Sequence, residues 1–402
     1  MKKLLLLLSI LVSGFGAYQS NGQCNGSRYA DFIFPSFTKT TVEYSSVYHL
    51  NMDIYQPTGD TLSARPLIIL AHGGSFISGA RDQDSTVYWM CSNFAKRGYV
   101  TVSIDYRLAS SLLVMYDSAQ AIDEVVKAVS DGKAAVRYFK MPANISTYKI
   151  DTNNIYIGGN SAGAVLYMHV GYLDSLSECN ADVADAMAAN GGFEGNSGNA
   201  GYSSKAKAVI DLAGGLNSTS FVGMNDIPSV NAQGDADQVV PYTCNHPVIG
   251  LPVPVTLCGL GSLEAVYTAN RVYHMSKVFP GRGHVPWASD PAVYTTVDSL
   301  VKVFLYYMVC SSGLETPGIA STLNELSIYP NPSFGNLNFS SGISINKIEI
   351  YDYSGKRVMQ FSNIGKSQID IDMSDYNSGI YLAKVTYDDP QKNTDIRKVI
   401  IK

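Results

Sequence analysis

The sequence predicts an α/β domain, in which helices cover both faces of a mostly parallel sheet, followed by a small all-β sandwich domain. Three observations lead to this prediction. Between about residues 44 and 310, short apolar runs alternate with helix-like stretches. From residue 325 onward, apolar and polar residues alternate and the helical period disappears. Residues 311–324, between these regions, are small and polar with interspersed proline and glycine, which is typical of a linker.

Residues 1–22 are typical of a secretory signal peptide. Lys2 and Lys3 precede an apolar run from Leu4 to Val12, which is shorter than the roughly 20 residues that a membrane span needs. Small residues follow, although no Ala-x-Ala motif fixes a cleavage site. We therefore expect an exported chain that begins near residue 23 and has no transmembrane span.

Composition excludes several classes of function. Of the 402 residues, 46% are hydrophobic and 16% are charged, which is enough apolar material for a large core. The net charge of −5 and the lack of a basic cluster predict no nucleic-acid binding. No Cys-x-x-Cys pair or histidine cluster indicates a metal site, and we expect no cofactor.

Six cysteines in an exported chain suggest disulfides, and the sequence alone allows fifteen pairings. Cys244 and Cys258 bracket a loop rich in proline and glycine and form the best-supported pair. The pairs Cys24–Cys91 and Cys179–Cys310 follow only by elimination. Buried free thiols are the alternative.

Each apolar run in the first region is a predicted strand. The runs are Pro66–Ala71, Tyr99–Ile104, Asn154–Gly159, Ala206–Gly215, Ile227–Gly234 and Val272–Phe279. Helices are predicted over Ser118–Phe139 and Ala292–Val309. Because the runs are apolar at consecutive positions, we expect strands that are buried on both faces.

Ser161 is the candidate nucleophile. It stands in the sequence Gly159-Asn160-Ser161-Ala162-Gly163, after a predicted strand and before a helix-like stretch. Glycines two positions before and after a serine allow a tight turn that exposes the hydroxyl, as in a nucleophile elbow. A serine hydroxyl attacks well only when a base removes its proton and a carboxylate orients that base.

His284 is the candidate base among six histidines. It lies in the loop Pro280–Trp287, just after the last predicted strand, at the edge of the sheet where α/β active sites gather. We expect His72 to brace its loop rather than react, and His49 to precede the sheet. The remaining histidines are His169, His246 and His274.

Asp237 is the candidate carboxylate, and Asp235 is the alternative. Both follow the predicted strand Ile227–Gly234. The stretch from Gly234 to Pro241 resembles the pattern Gly-x-x-Asp-x-x-Val-Pro of many α/β-hydrolases, and this resemblance selects Asp237. The other aspartate is expected to cap a turn. The chain order of serine, aspartate and histidine is that of α/β-hydrolases.

Backbone amides are expected to bind the negative oxygen that forms when a serine attacks a carbonyl. The stretch His72-Gly73-Gly74-Ser75-Phe76 follows the predicted strand Pro66–Ala71, and its glycines let N–H groups face the site. The predicted donors are the amides of Gly74, Ser75 and Ala162.

Five stretches together resemble the esterase and lipase branch of the α/β-hydrolase superfamily that carries a His-Gly-Gly loop. They are "RPLIILAHGGSFISG", "GYVTVSIDYRLA", "GGNSAGA", "GDADQVVPY" and "GRGHVPW". The resemblance covers about residues 42–310 and implies serine-dependent ester hydrolysis without a metal or organic cofactor. We assign residues 23–310 to this catalytic domain.

The last region resembles the C-terminal sorting domain of proteins exported by the type 9 secretion system of Bacteroidetes. The stretches that carry the resemblance are "LSIYPNPSFGNLNF", "IEIYDYSGKRV", "IDMSDYNSGIYLAKV" and "KVIIK". It implies that residues 325–402 engage the secretion machinery and that the protein is secreted or held at the outer cell surface.

The sequence therefore predicts a secreted or surface-attached carboxylic ester hydrolase. Extracellular delivery suggests acetyl or feruloyl esters of polysaccharides, lipid esters or polyesters as substrates. A serine peptidase of the same superfamily and a catalytically inactive adhesion module are the alternatives. The segments Asn180–Ser204 and Thr243–Ser262 are predicted to form rims or lids of the pocket, and surface loops away from the pocket are the alternative.

Overall fold

The computed structural model of the protein describes residue 24 and residues 27–310, 326–352, 356–388 and 395–401. The chain divides into two compact units, residues 1–313 and 314–402. The boundary between them falls within the predicted linker 311–324. That linker and the predicted signal peptide lie outside the described residues, so both stay predictions.

An eight-stranded sheet forms the centre of the first unit. Its strands are β1 (Phe37–Ser45), β2 (Leu50–Pro57), β3 (Arg65–Ala71), β4 (Val100–Ile104), β5 (Ile150–Asn160), β6 (Ala208–Leu212), β7 (Ser229–Gly234) and β10 (His274–Phe279). The spatial order is β1-β2-β4-β3-β5-β6-β7-β10. Strands β1 and β2 are antiparallel to their neighbours, and every pair from β4 to β10 is parallel.

Seven helices surround the described part of this sheet. They are α1 (Ser85–Lys96), α2 (Ser118–Phe139), α3 (Pro142–Tyr148), α4 (Ala162–Tyr172), α5 (Ala181–Ala189), α6 (Leu260–Ala269) and α7 (Pro291–Cys310). Short 3₁₀ helices cover Leu112–Tyr116, Leu176–Glu178, Thr219–Phe221 and Pro286–Ala288. A small hairpin of β8 (Val248–Ile249) and β9 (Leu251–Pro252) stands apart from the main sheet.

Strand β3 shows how the sequence specifies this layered fold. Leu67 and Ile69 pack into the core on the side of α2 and α4, whereas Ile68 and Leu70 pack into the core on the side of α1 and α7. Alternate side chains of a strand point to opposite faces, so a continuous apolar run fills two cores. The predicted α/β fold is confirmed, and all six predicted strands are present. Strand β10 lies at the sheet edge and only one of its six residues is buried, so the expectation of burial on both faces is wrong for this strand.

The hairpin β1–β2 was not predicted from the sequence. Residues of β1 are mostly exposed, because this strand lies at the sheet edge and pairs only with β2. The expectation that His49 precedes the sheet is therefore wrong. His49 lies in the turn between the two strands, where its Nδ1 is 2.8 Å from Glu43 Oε1.

Helix α7 is long and apolar enough, by length and composition alone, to cross a membrane. In the structure it packs against the sheet, with Val297, Val301, Phe304 and Leu305 fully buried. Asp298 of the same helix forms an ion pair with Arg97 of the α1 terminus. These contacts are those of a core helix of the domain.

Two disulfides are present in the described residues, and one differs from the expectation. The predicted Cys244–Cys258 bond is confirmed, but Cys24 pairs with Cys310. The pairs Cys24–Cys91 and Cys179–Cys310 are therefore wrong. Cys91 is a free thiol, fully buried on the core face of α1, and Cys179 is also free. Elimination failed because a buried cysteine can pack as a small apolar side chain.

The second unit is an antiparallel sheet, which confirms the predicted all-β domain. Its strands are β11 (Ser327–Tyr329), β12 (Asn336–Tyr351), β13 (Arg357–Asp372), β14 (Gly379–Tyr387) and β15 (Asp395–Ile401). Strand β12 pairs with β11, β13 and β14 along its length, with register shifts near its middle. The alternating apolar and polar residues of 356–361 and 367–373 predict two strands, but the structure has the single strand β13 there. Ser354-Gly355, which the sequence predicts as a hairpin turn, lies outside the described residues.

Candidate active site

Ser161 occupies the sharp turn between β5 and α4. Its backbone has φ 55° and ψ −120°, a conformation that costs energy for a residue with a side chain. A Cβ on Gly159 would lie 2.5 Å from Ala71 O, and a Cβ on Gly163 would lie 2.1 Å from the same atom. Only glycines at these two positions let the turn pack against β3, so the sequence motif has a steric cause.

Three side chains that are far apart in the sequence form one hydrogen-bonded chain. Ser161 Oγ lies 2.7 Å from His284 Nε2, and His284 Nδ1 lies 2.7 Å from Asp237 Oδ2. The Asp237 carboxylate is fully buried, whereas the imidazole of His284 is partly exposed. Asp237 Oδ1 accepts hydrogen bonds from the backbone N–H groups of Val239 and Val240 at 2.9 and 3.1 Å. The structure thus brings together the three residues that the sequence nominated.

Asp235, the alternative carboxylate, has a different place. Its Oδ1 accepts a hydrogen bond of 2.6 Å from the backbone N–H of Gly281. The loop after β10, which carries His284, is also held by the 2.9 Å bond from Ala236 N–H to Arg282 O. A Cβ on Gly234 would lie 2.2 Å from Arg282 O, so this glycine permits the two loops to touch. Asp235 therefore fixes the loop of the histidine without contacting the histidine.

The other buried histidines brace the scaffold. His72 stacks on Tyr106 with ring centres 4.3 Å apart, and its Nδ1–H donates to Gly73 O. His169 on α4 donates from Nδ1 to Val165 O, and its Nε2 accepts from Asn217 N–H at 3.1 Å. Burial lowers the pKa of both imidazoles. Burial thus favours the neutral form of each ring, and both ring nitrogens of His169 form hydrogen bonds.

The loop after β3 has the shape that an oxyanion-binding loop needs. Gly74 has φ 121°, and a Cβ there would lie 2.0 Å from Ser78 O. Ser75 and Phe76 also have positive φ, at 56° and 62°. Within the part of the chain that the structure describes, the N–H groups of Gly74, Ser75 and Ala162 donate to no protein acceptor. They are therefore free to bind an anionic oxygen.

A set of polar contacts that sequence reasoning missed fixes this loop. Asp84 Oδ2 accepts from the backbone N–H of Gly73 at 2.9 Å and from Asn160 Nδ2 at 3.0 Å. Asn160 Oδ1 in turn accepts from Trp287 Nε1 at 3.1 Å. Asp84 also caps the N-terminus of α1 through Oδ1. One carboxylate thus links the loop after β3, the turn of Ser161 and the start of α1. The sequence signal for the capping role was an aspartate directly before the start of a helix.

Two spaces meet at Ser161. An open cleft of about 530 Å³ is bounded by Gly73, Gly74, Asp84 and His284. A second, narrower space of about 100 Å³ is lined almost wholly by apolar side chains and leads inward from Ser161. Ser75 borders both spaces. We call the first space the open cleft and the second the apolar cavity.

The predicted rim segments both contribute to the apolar cavity. Val183 and Met187 of α5 line it on one side, and residues 247–257 of the disulfide-closed loop line it on another. The loop after α5 is fastened to α2, since Lys133 Nζ donates to Phe193 O and Arg137 Nη1 donates to Glu194 O. The first segment is therefore a fixed wall of the cavity in this structure.

No group of three or more histidine, cysteine, aspartate or glutamate side chains with metal-binding geometry occurs in the described ranges. The hydrogen-bonded chain and the free backbone donors are the reactive features of the site. Together they can deprotonate a hydroxyl, hold the resulting cation and stabilise a developing negative oxygen.

Two parts of the chain match family models. Residues 52–218 match the BD-FAE family, an esterase family of the α/β-hydrolase superfamily. Residues 327–402 match the secretion system C-terminal sorting domain. No curated protein matches the chain.

Solved structures of esterase 2 from Thermogutta terrifontis resemble the chain at 19% identity. The paraoxon-phosphorylated form has a TM-score of 0.49 and covers 69% of this chain and 95% of its own. The apo form has a TM-score of 0.49, with 71% and 98% covered. The butyrate-bound form has a TM-score of 0.48, with 73% and 99% covered.

The family matches give each unit its class. The first unit is an esterase-type α/β-hydrolase domain, that of a carboxylic ester hydrolase. The second is a type 9 sorting domain, which indicates secretion and attachment to the outer cell surface.

Proposed function

We propose that this protein is a serine esterase that hydrolyses extracellular esters through an acyl-enzyme, because residues 52–218 are those of a BD-FAE esterase domain and residues 327–402 those of a sorting domain. One observation carries the proposal: the hydrogen-bonded chain from Ser161 through His284 to Asp237, with both distances at 2.7 Å. A hydroxyl in this setting loses its proton to the imidazole as it attacks.

The first half of the reaction forms the acyl-enzyme. Ser161 Oγ attacks the ester carbonyl carbon while its proton moves to His284 Nε2. Asp237 stabilises the imidazolium through the bond to Nδ1–H. The carbonyl oxygen becomes negative and accepts hydrogen bonds from the amides of Gly74, Ser75 and Ala162, a contribution worth about 2.7–4 kcal/mol per donor. The intermediate then collapses, and the alcohol leaves with the proton from His284.

The second half releases the acid. A water molecule takes the place of the alcohol and gives its proton to His284 as it attacks the acyl carbon. The second tetrahedral intermediate then collapses: the bond between the acyl carbon and Ser161 Oγ breaks, His284 returns the proton to Ser161 Oγ, and the carboxylic acid leaves. The sorting domain delivers the enzyme to substrates outside the cell, which supports the extracellular ester classes named above.

The test compares the purified protein with a Ser161→Ala variant. We expect wild type to hydrolyse p-nitrophenyl acetate and p-nitrophenyl hexanoate, and the variant to lose about 10⁴-fold or more in kcat. A fluorophosphonate should label wild type on the peptide that contains Ser161. Full activity in the variant would refute the proposal. Cleavage of peptide anilides in place of esters would support a peptidase, and inactivity of wild type on all of these would support an adhesion module.

A further inference from the structure

We propose that the apolar cavity is the site of the acyl group and that the enzyme prefers esters of unsubstituted medium-chain aliphatic acids over acetate and over hydroxylated aromatic acids. This inference rests on the proposed function and specifies its substrate class. Four observations carry it: where the cavity begins, which way it runs, what lines it, and on which side of Ser161 the histidine lies.

The cavity begins at the reactive serine. Ser161 and two of the proposed oxyanion donors, Ser75 and Ala162, border it. A carbonyl carbon attacked by Ser161 Oγ, with its oxygen on these amides, has its two remaining substituents directed towards the two spaces. One substituent is the acyl chain, and the other is the alcohol.

The position of His284 decides which substituent enters which space. His284 borders the open cleft and does not border the apolar cavity. The leaving alcohol must receive its proton from His284 Nε2, so the alcohol lies in the open cleft. The acyl chain therefore enters the apolar cavity. An open cleft of about 530 Å³ also leaves room for a large alcohol that stays in contact with water.

The cavity runs along one face of α4. Ala162, Val165, His169 and Leu173 line it, and their spacing of three or four residues places them on the same side of the helix. Leu173 directly follows the last residue of α4, and the eleven residue steps from Ala162 to Leu173 correspond to about 16 Å along the axis, at roughly 1.5 Å per residue. The cavity volume of about 100 Å³ is several times the roughly 10–15 Å³ that one water molecule requires. An acetyl group, with a single methyl, would leave most of this space unfilled.

The lining offers an acyl chain almost no hydrogen-bonding partner. Both ring nitrogens of His169 are engaged, with Val165 O and with Asn217 N–H. Asn217 and Thr256, the other polar lining residues away from Ser161, are partly or fully exposed, and the Asn217 side chain donates to Thr256 O. A hydroxyl on the acyl group would therefore give up water without gaining a partner, which is unfavourable.

The experiment measures kcat/KM for p-nitrophenyl esters of increasing acyl length, so that the leaving group is constant. Each methylene that enters an apolar site should raise kcat/KM about fourfold. We expect hexanoate to exceed acetate by at least about tenfold, and p-nitrophenyl 6-hydroxyhexanoate to fall about tenfold below hexanoate. Methyl cinnamate should likewise exceed methyl ferulate, which adds a hydroxyl and a methoxy group to the ring.

Two substitutions on α5 should move the preference in opposite directions. Val183→Phe fills the cavity and should lower the hexanoate-to-acetate ratio about tenfold. Met187→Ala enlarges it and should shift the optimum to longer chains. Ala188→Phe, at an exposed position of the same helix, is the matched control and should leave the ratio unchanged. Thermal unfolding curves show whether each variant is folded.

The outcomes separate this inference from the proposed function. If wild type hydrolyses acetate at least as well as hexanoate, with the activity lost in Ser161→Ala, the enzyme class stands and the acyl assignment is wrong. A ferulate rate equal to or above that of cinnamate, or an unchanged ratio in both folded α5 variants, also overturns the assignment. If no ester is hydrolysed, the proposed function itself fails.

Discussion

The open cleft and the apolar cavity meet at one serine but are built in different ways. The cleft is bounded by backbone in left-handed conformations, as at Gly74, Ser75 and Val285, and by polar groups such as Asp84 and His284. The cavity is bounded by ordinary helix faces and by the hairpin that the Cys244–Cys258 disulfide closes. Most of the side chains that line it are apolar.

This difference separates two physical tasks. Catalysis depends on where individual donors and acceptors stand, and a displacement of about 1 Å can cost roughly 100-fold in rate. Selection of an apolar group depends on volume and on the exclusion of water, which many combinations of side chains can provide. Substitutions in the cleft should therefore affect all esters alike, whereas substitutions around the cavity should change the ranking of esters.

The largest expected effect comes from the buried carboxylate of the cleft. Asp237→Asn should lower kcat by about 10³–10⁴-fold for every ester, because a neutral amide neither fixes the tautomer of His284 nor stabilises its charged form. Asp235→Asn is the matched control two residues away. Since Asp235 contacts Gly281 N–H and not the histidine, it should change kcat by less than about threefold. If steady-state kinetics show a larger loss of kcat in Asp235→Asn than in Asp237→Asn, the assignment of Asp237 as the carboxylate that orients His284 is wrong.

A smaller effect is expected at Asp84, which fixes the oxyanion loop without touching substrate. Asp84→Ser keeps a side chain that can cap α1 but is too short to hold Gly73 and Asn160 together. We expect kcat to fall about 10- to 100-fold with little change in KM or in acyl preference. Asp82→Ser, at an exposed neighbouring position, should behave as wild type. A change in acyl preference in Asp84→Ser would contradict the conclusion that the open cleft determines the rate and the apolar cavity determines the choice of acyl group.

The same contrast explains what the sequence revealed. Ser161, Asp237 and His284 lie in short stretches whose glycines and prolines have local causes, such as the 2.1 Å approach that a Cβ at Gly163 would make to Ala71 O. Local steric requirements leave a local pattern, so these residues could be nominated from the amino-acid sequence alone. The central strands β3, β4, β5, β6 and β7 were equally predictable, because their apolar runs are buried on both faces.

The cavity left no such pattern. Val129, Val165, Val183 and Val255 all line it, yet each is an ordinary apolar residue on a separate segment, and only the fold brings them together. The Cys24–Cys310 disulfide could not be predicted for the same reason. Its cysteines are 286 residues apart in the sequence, and only the tertiary structure places them side by side. The periodicity of apolar residues likewise could not predict strand β1, which is mostly exposed, or the two contacts that Asp84 makes with Gly73 and Asn160.

Removal of either disulfide is expected to have an effect of intermediate size. Replacing Cys244 and Cys258 by serine frees the hairpin that lines the cavity and should lower the hexanoate-to-acetate ratio about three- to tenfold. Replacing Cys24 and Cys310 should lower the free energy of unfolding by about 2–5 kcal/mol, measured by denaturant titration, and leave the ratio unchanged. If both pairs alter the ratio equally, acyl preference does not depend on the hairpin.

The smallest expected effect concerns His72 beside the cleft and His169 beside the cavity. Burial lowers the pKa of both imidazoles in the folded protein, whereas the unfolded chain binds their protons below about pH 6.5. Above that pH, each neutral imidazole therefore makes its full contribution to the free energy of unfolding. As the pH falls towards the pKa of the folded protein, this contribution is lost by up to about 1.4 kcal/mol per pH unit. His72→Gln and His169→Gln should each flatten the acid limb of stability against pH.

Activity assays on the same two variants compare the open cleft with the apolar cavity. His72→Gln disturbs the loop of the oxyanion donors, so acetate and hexanoate hydrolysis should fall by the same factor. His169→Gln disturbs the cavity wall and its contact with Asn217, so the hexanoate rate should fall more than the acetate rate. Curves of stability against pH that run parallel to wild type would show that these imidazoles accept protons in the folded protein. A uniform loss in His169→Gln would show that the cavity wall also positions the catalytic groups.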